Sequence, residues 1–214
     1  MNDNEMGRLI QAAITSPEWH KMQSGEVYDA VEANIIALLN AVKTRVAAFN
    51  AISPVDYAAK EAALRNLLGH CGDNPRVNQP FYCDYGINIS VGNNFFANFG
   101  LTILDEAPVS FGDNVFIGPG CGFYTPCHPT DIEARNAMVQ WAKPITVGNN
   151  VWFGSRVTVV PGVTIGDDSV IAAGSVVTRD IPSGVIAGGN PCKVLRPLCE
   201  KDKEKYPMCP EDMR

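Results

Sequence analysis

VGNNVWFGSRVTVVPGVTIGDDSVIAAGSVVTRDIPS, residues 147–183, decides the fold because a branched or aromatic residue returns every six positions: Val147, Phe153, Val159, Ile165, Ile171 and Val177. Four places after each comes a second small or branched residue: Val151, Val157, Val163, Ser169, Ser175 and Ile181. Two inward positions in six suit a short strand followed by a turn. A helix is excluded, since the period is not 3.6 and the stretch holds Pro161, Gly162, Gly166, Gly174 and Pro182. Gly148, Gly154 and Gly166 directly follow leading residues, where a tight corner is expected to demand positive φ. A chain that turns a corner every six residues, three turns to a coil, winds into a triangular prism of parallel strands.

Upstream, the repeat begins at Val91, continues through Ala97 and Ile103, slips by two, and resumes at Phe111, Ile117 and Phe123. The slip places a two-residue insertion between Asp105 and Ser110. After Cys127 and His128 the period vanishes until Val147, so residues 129–144 form a loop expelled from the prism. Long loops in regular repeats are frequently functional. From Val185 the hexads fade towards the basic stretch Lys193–Arg196.

Ahead of the repeats, Val31, Ile35, Leu38, Leu39, Val42 and Val46 fall at helical spacing, predicting a helix over Val27–Phe49. Ser53-Pro54 reads as the cap of a second helix ending at Gly69, and the two are expected to pair as a helical hairpin. Residues 1–25 carry no clear pattern. The expected organisation is a helical region over 1–70, the β-helix over 71–198 and a charged tail over 199–214.

The 214 residues carry 17 Lys and Arg against 23 Asp and Glu, a net charge of −6, with 46% hydrophobic residues. No dense basic stripe points to nucleic acid, no apolar run approaches the about 18 residues of a membrane span, and the N-terminus lacks signal-peptide regions. The expectation is a cytoplasmic protein. The seven Cys form no CxxC pair, so free thiols are expected rather than disulfides or structural zinc.

The motifs FYCDYGINISVGNNFFANF (81–99), YTPCHP (124–129) with a following loop that contains Arg135, KPITVGNNVWFGSRV (143–157), PGVTIGDDSVIAAGSVVTRDIP (161–182) and AGGNPCKVLR (187–196) occur in one order. Together they resemble the maltose and galactoside O-acetyltransferases among the hexapeptide-repeat acyltransferases. The resemblance implies a left-handed parallel β-helix, a homotrimer, and acetyl-CoA bound between subunits. It also implies His128 and Asn98 as catalytic residues, Asp84, Asn98 and Glu106 as acceptor contacts, and Ser155, Ala173, Thr178, Arg179, Lys193 and Arg196 as coenzyme contacts, with no metal. Where the family takes an acceptor contact from its N-terminal part, GEVYDAVEAN has Ala30, with Asp29 beside it.

The residues carry their own arguments. His128 opens the loop and is held extended by Pro129; an imidazole that titrates near neutrality suits proton removal from a hydroxyl. Cys127, like Cys121, falls at an inward position, where a buried, unreactive thiol is expected. Asn98 starts one face and His128 ends another, so a site using both is expected to lie between subunits. Trp141 and Trp152 either bound the acceptor pocket or cover the coil. A zinc enzyme on the same scaffold would need three converging His ligands, and the repeats hold only His128. A non-sugar hydroxyl acceptor or a non-catalytic scaffold are the remaining alternatives.

Overall fold

The structure, a computed structural model, describes residues 3–204. The prism is present, built of three parallel sheets. Its first face stacks His70–Cys71, Ile89–Val91, Val109–Phe111, Ile145–Val147 and Thr164–Ile165. The second stacks Arg76–Val77, Phe96–Ala97, Phe116–Ile117, Trp152–Phe153, Val170–Ile171 and Val185–Gly188, closed by the antiparallel strand Lys193–Pro197. The third stacks Phe81–Cys83, Leu101–Leu104, Gly122–Tyr124, Thr158–Val159 and Val176–Val177. Every inward residue of the reference stretch is buried, from Val147 at 2% to Ile181 at 5% exposure. Inside the prism Phe95, Phe111, Phe123 and Phe153 form a continuous stack over three coils, Phe111 and Phe123 sharing one, with ring centroids 4.9–5.2 Å apart.

Coil length follows the register. Cys71 pairs with Val91 and Ile103 with Phe123, 20 residues apart, whereas Val147 pairs with Ile165 only 18 apart. The repeat therefore starts one coil earlier than Val91, at Cys71, Val77 and Cys83. The slip at Asp105–Ser110 recurs at Asp84–Asn88. Polar Asp84, Asn88 and half-buried Cys71 hid that coil from the hydrophobic pattern. The hexads do not stop at Val185 either, since Ile171 still pairs with Ala187.

The glycines after the leading residues are required for a different reason than expected. Positive φ falls two residues later, at Asn150 (56°), Arg156 (57°) and Asp168 (56°). At Gly148 a Cβ would stand 2.8 Å from the Asp167 nitrogen, and at Gly154 2.6 Å from the Ala173 nitrogen. The next coil passes too close for any side chain. Asn74, Asn94, Asn114, Asn150 and Asp168, all left-handed, align on the corner between first and second faces. Each amide there donates to the next residue's Oδ1, at 3.3, 2.9, 3.1 and 2.8 Å.

The N-terminal region is four helices, not one hairpin: α1 Asp3–Ile14, α2 Pro17–Ser24, α3 Ala33–Asn50 and α4 Tyr57–Leu67. The Ser-Pro capping signal operates at Ser16-Pro17, where Ser16 Oγ accepts from the Trp19 N–H. At Ser53-Pro54 it does not; Asp56 caps α4 instead, accepting from Ala59 N–H at 3.0 Å. The stretch before α3 is extended, because Tyr28 bridges to Gln140. The buried stripe of α3, from Ile35 to Phe49, packs on the first coil, with Phe49 edge-on to Phe81. Helices and prism share one apolar core.

Residues 129–144 do leave the prism. Pro126–Cys127 pairs antiparallel with Trp141–Ala142 as a neck, and α5 Ile132–Asn136 lies exposed beyond it. The neck removes Cys127 from its inward slot: Cys121 is buried, but Cys127 is only half-buried. The tail begins with α6 Lys201–Glu204; the rest of the expected tail, Cys209 included, lies outside the described residues. Among those residues no helix is long and apolar enough to cross a membrane.

Candidate active site

Two prism edges carry the expected site residues. On the edge between third and first faces, three successive coils present Asp84, Glu106 and His128 in a column, with Thr178 and Arg179 on the same edge further along. On the edge between second and third faces lie Asn98, Ser155 and Ala173. A third-face strand separates the edges; in the coil of Asn98 it is Leu101–Leu104, whose four residues at ~3.3 Å each span roughly 13 Å before the turns at either end are counted. Asn98 and His128 thus lie on different edges of one chain, as their places in the repeat predict. Asn98 Oδ1 instead accepts from the Phe99 N–H at 2.8 Å.

His128 is exposed, and its Nδ1 meets the Val139 carbonyl oxygen at 3.1 Å. A carbonyl only accepts, so Nδ1 carries the proton, and in the neutral ring Nε2 is then the acceptor. Arg135 braces the loop by donating to the carbonyls of Pro129 and Thr130, both at 3.1 Å.

Beside His128 the column is acidic. The Asp84 and Glu106 carboxyls are close enough for their protonation to be linked, and two like charges at that spacing favour one shared proton. Burial raises both, and for Glu106 the charge of Asp84 adds to it. Asp105, not anticipated from the sequence, underlies the pair. Its Oδ1 accepts from the N–H groups of Asp84 and Tyr85 at 3.0 and 2.9 Å, and full burial pushes its carboxyl up to about 7. Thr125 Oγ1 accepts from Ala107 N–H and donates to the Leu104 carbonyl, holding the Glu106 corner from the coil above. The neighbouring Cys127 thiol is raised by burial, which opposes a thiolate nucleophile.

The edge that bears Asn98 includes several small residues. Gly118 and Gly154 have no room for a Cβ, Ala173 is exposed, and among the described residues no acceptor meets the N–H of Ser155 or Ala173. Lys193 is exposed on the last strand, but the Arg196 guanidinium is already held by both Asp202 carboxylate oxygens, at 2.7 and 2.6 Å. Trp152 stands 55% exposed on the second face, and Trp141 is half-buried in the neck. Among the described residues no cluster of His, Cys, Asp and Glu could hold a metal ion.

Comparison with known proteins shows the family. Residues 21–72 match the maltose acetyltransferase hexapeptide capping motif, and 144–179 the hexapeptide repeat of succinyl-transferase. Escherichia coli galactoside O-acetyltransferase is 46% identical over 164 residues, 77% of this chain and 81% of that protein. The chain belongs to the maltose and galactoside O-acetyltransferase family. This acyltransferase superposes with a TM-score of 0.86 on a galactoside acetyltransferase solved with coenzyme A, at 40% identity over 90% of this chain and 96% of that one. A Clostridium difficile maltose O-acetyltransferase gives 0.85, at 42% identity over 86% and 99%. The family's capping motif takes in Tyr28, which the helical spacing puts in a helix and the structure puts in an extended bridge to Gln140.

Proposed function

We propose that this acyltransferase moves the acetyl group of acetyl-CoA to a sugar hydroxyl at a site shared by two subunits of a homotrimer, with His128 as general base. The observation that carries the reading is the bond from His128 Nδ1 to the Val139 carbonyl, which leaves Nε2 as the acceptor on the edge that holds Asp84 and Glu106. The acid pair suits sugar hydroxyls, which donate and accept together. As Nε2 takes the hydroxyl proton, the oxygen attacks the thioester carbon. The resulting oxyanion needs donors, and the Asn98 amide and the Ser155 N–H are free to serve. Collapse breaks the C–S bond, and the departing thiolate takes from His128 the proton that came from the hydroxyl.

Placement supports a shared site: Asn98 and His128 stand on different prism edges with a third-face strand between them, and a neighbouring subunit would bring its own Asn98 to His128. Tyr82, Phe99, Phe116 and Trp152, each 50–59% exposed on the second and third faces or the edge between them, supply the apolar surface for such packing. The small-residue edge of Ser155 and Ala173 gives a pantetheine arm a groove. Thr178, Arg179 and Lys193 are exposed for the remainder of the coenzyme, while Arg196 can reach a phosphate only by leaving Asp202.

The test is release of free CoA from acetyl-CoA with galactosides, maltose, amino sugars and non-sugar alcohols, for wild type and His128→Ala, with mass measured by light scattering. Turnover with a sugar, a loss of about 10²-fold or more in the variant and a mass of three chains are expected. An unaffected variant removes the general base, and a monomer removes the shared site.

A further inference from the structure

The loop that carries the His128 partner is itself held from the N-terminal region. Gly25 ends α2 in the left-handed conformation at φ 79°, and a Cβ there would stand 3.3 Å from the Ala142 carbonyl oxygen. That close passage lays the next residues along the neck of the loop. Tyr28 then donates its backbone N–H to the Gln140 carbonyl at 3.2 Å, and the Gln140 side-chain amide donates to the Tyr28 hydroxyl. Both residues are buried, Tyr28 at 3% exposure and Gln140 at 9%. Gln140 directly follows Val139, whose carbonyl orients the His128 ring. Helix α5, the body of the loop, buries no residue of its own, so the loop gains little order from packing.

The same N-terminal stretch reaches the acid column. Gln23 donates its amide to the Glu106 carbonyl at 2.8 Å. The Tyr28 phenol lies near enough to Glu106 and Asp84 for their charge to add to the rise that burial gives it. One short stretch therefore touches both the acids and the peptide that orients the base.

We propose that Tyr28 is a positioning residue for His128, fixing through Gln140 the Val139 carbonyl that selects the imidazole tautomer. The proposal rests on the reading of His128 as general base. Tyrosine is needed because its ring fills the buried site while its hydroxyl accepts from Gln140; phenylalanine supplies only the first.

The test compares wild type, Tyr28→Phe, His128→Ala and the double variant. The 15N shifts of the ring nitrogens report the neutral tautomer of His128 without any acceptor. In wild type Nδ1 should carry the proton, and in Tyr28→Phe the two tautomers should mix. With acetyl-CoA and whichever of maltose or methyl galactoside is turned over, Tyr28→Phe should lose about 10-fold in kcat and leave the KM for acetyl-CoA within about 2-fold. The double variant should be no slower than His128→Ala. An unchanged tautomer in Tyr28→Phe overturns the proposal, as does an equal further loss in the double variant, while both leave His128→Ala impaired and the general base intact. A His128→Ala enzyme at wild-type rate overturns both. If Tyr28→Phe does not fold, Gln140→Leu, which deletes the amide and keeps the backbone bond, is expected to give the same tautomer mixing.

Discussion

The Nδ1 atom of His128 and the carbonyl oxygen of Val139, 3.1 Å apart, join the two ends of the expelled loop. The contact turns the loop into an orienting device for one ring nitrogen. His128→Asn keeps a donor that can reach toward Val139 and deletes the base. Turnover should fall by about 10²-fold to 10⁴-fold, with the thermal midpoint within about 2 °C of wild type. A variant that keeps its rate would show that Nε2 takes no proton.

The acid column sets a direction for stability against pH. Asp105, raised to about 7, and the Asp84–Glu106 pair, also raised, hold protons in the folded state that the unfolded chain has already lost. Their stabilising contribution is complete below the ordinary carboxylate range and fades as pH rises through their folded values. Glu18 and Asp202 shift the other way, but both are ion-paired at the surface and act only in more acidic solution. The thermal midpoint should thus be higher at pH 5.5 than at pH 8. Glu106→Gln should raise it at pH 8 by a few degrees and flatten the profile, as scanning calorimetry would show. A wild-type midpoint that climbs from pH 5.5 to pH 8 would contradict the burial of these acids.

The corner column separates two costs. Asn114 combines φ 55° with amide bonds to Asn94 and Asn150. Asn114→Gly keeps the backbone and loses the bonds, a destabilisation of about 1 kcal/mol. Asn114→Val adds left-handed strain of roughly 1–2 kcal/mol. Chemical denaturation should rank them wild type, Gly, Val; equal Gly and Val variants would remove backbone conformation as a cause.

The small-residue edge predicts a coenzyme effect without a folding effect. Ala173 is exposed, so Ala173→Phe intrudes into the groove and not into the core. The KM for acetyl-CoA should rise by about 10-fold or more, with little change in thermal midpoint. An unchanged KM would move the pantetheine path elsewhere.

The prism was legible because burial in a β-helix is periodic: from Val147 to Ile181 each inward slot needs an apolar or small residue, and a count of six finds them. Its first coil was not, because Asp84 and Asn88 break the count where the site is built. The N-terminal helices misled for the opposite reason. Ser53-Pro54 carries a capping signature, but Asp56 three residues on takes the cap of α4, while Ser16-Pro17 sits beside Trp19 and Met22, which have a core to enter. Of the site, Asp84, Glu106 and His128 were found by resemblance and are brought onto one edge. Asp105 and Gln140 were missed because their roles depend on bonds to segments distant in sequence. Cys127 was misplaced because a two-strand neck, invisible to a period of six, pulls it from its slot.

The corner column also has a direction. Each Asn from 74 to 150 passes a hydrogen to its successor, and Asp168 receives the last one with no hydrogen to hand on. The carboxylate acts as a terminator. A coil duplicated upstream of Asp168 could slot an extra asparagine into the chain of amides unbroken, whereas one appended after it would have to join with its polarity reversed. Lengthening of this prism is therefore permitted from within and resisted at the end.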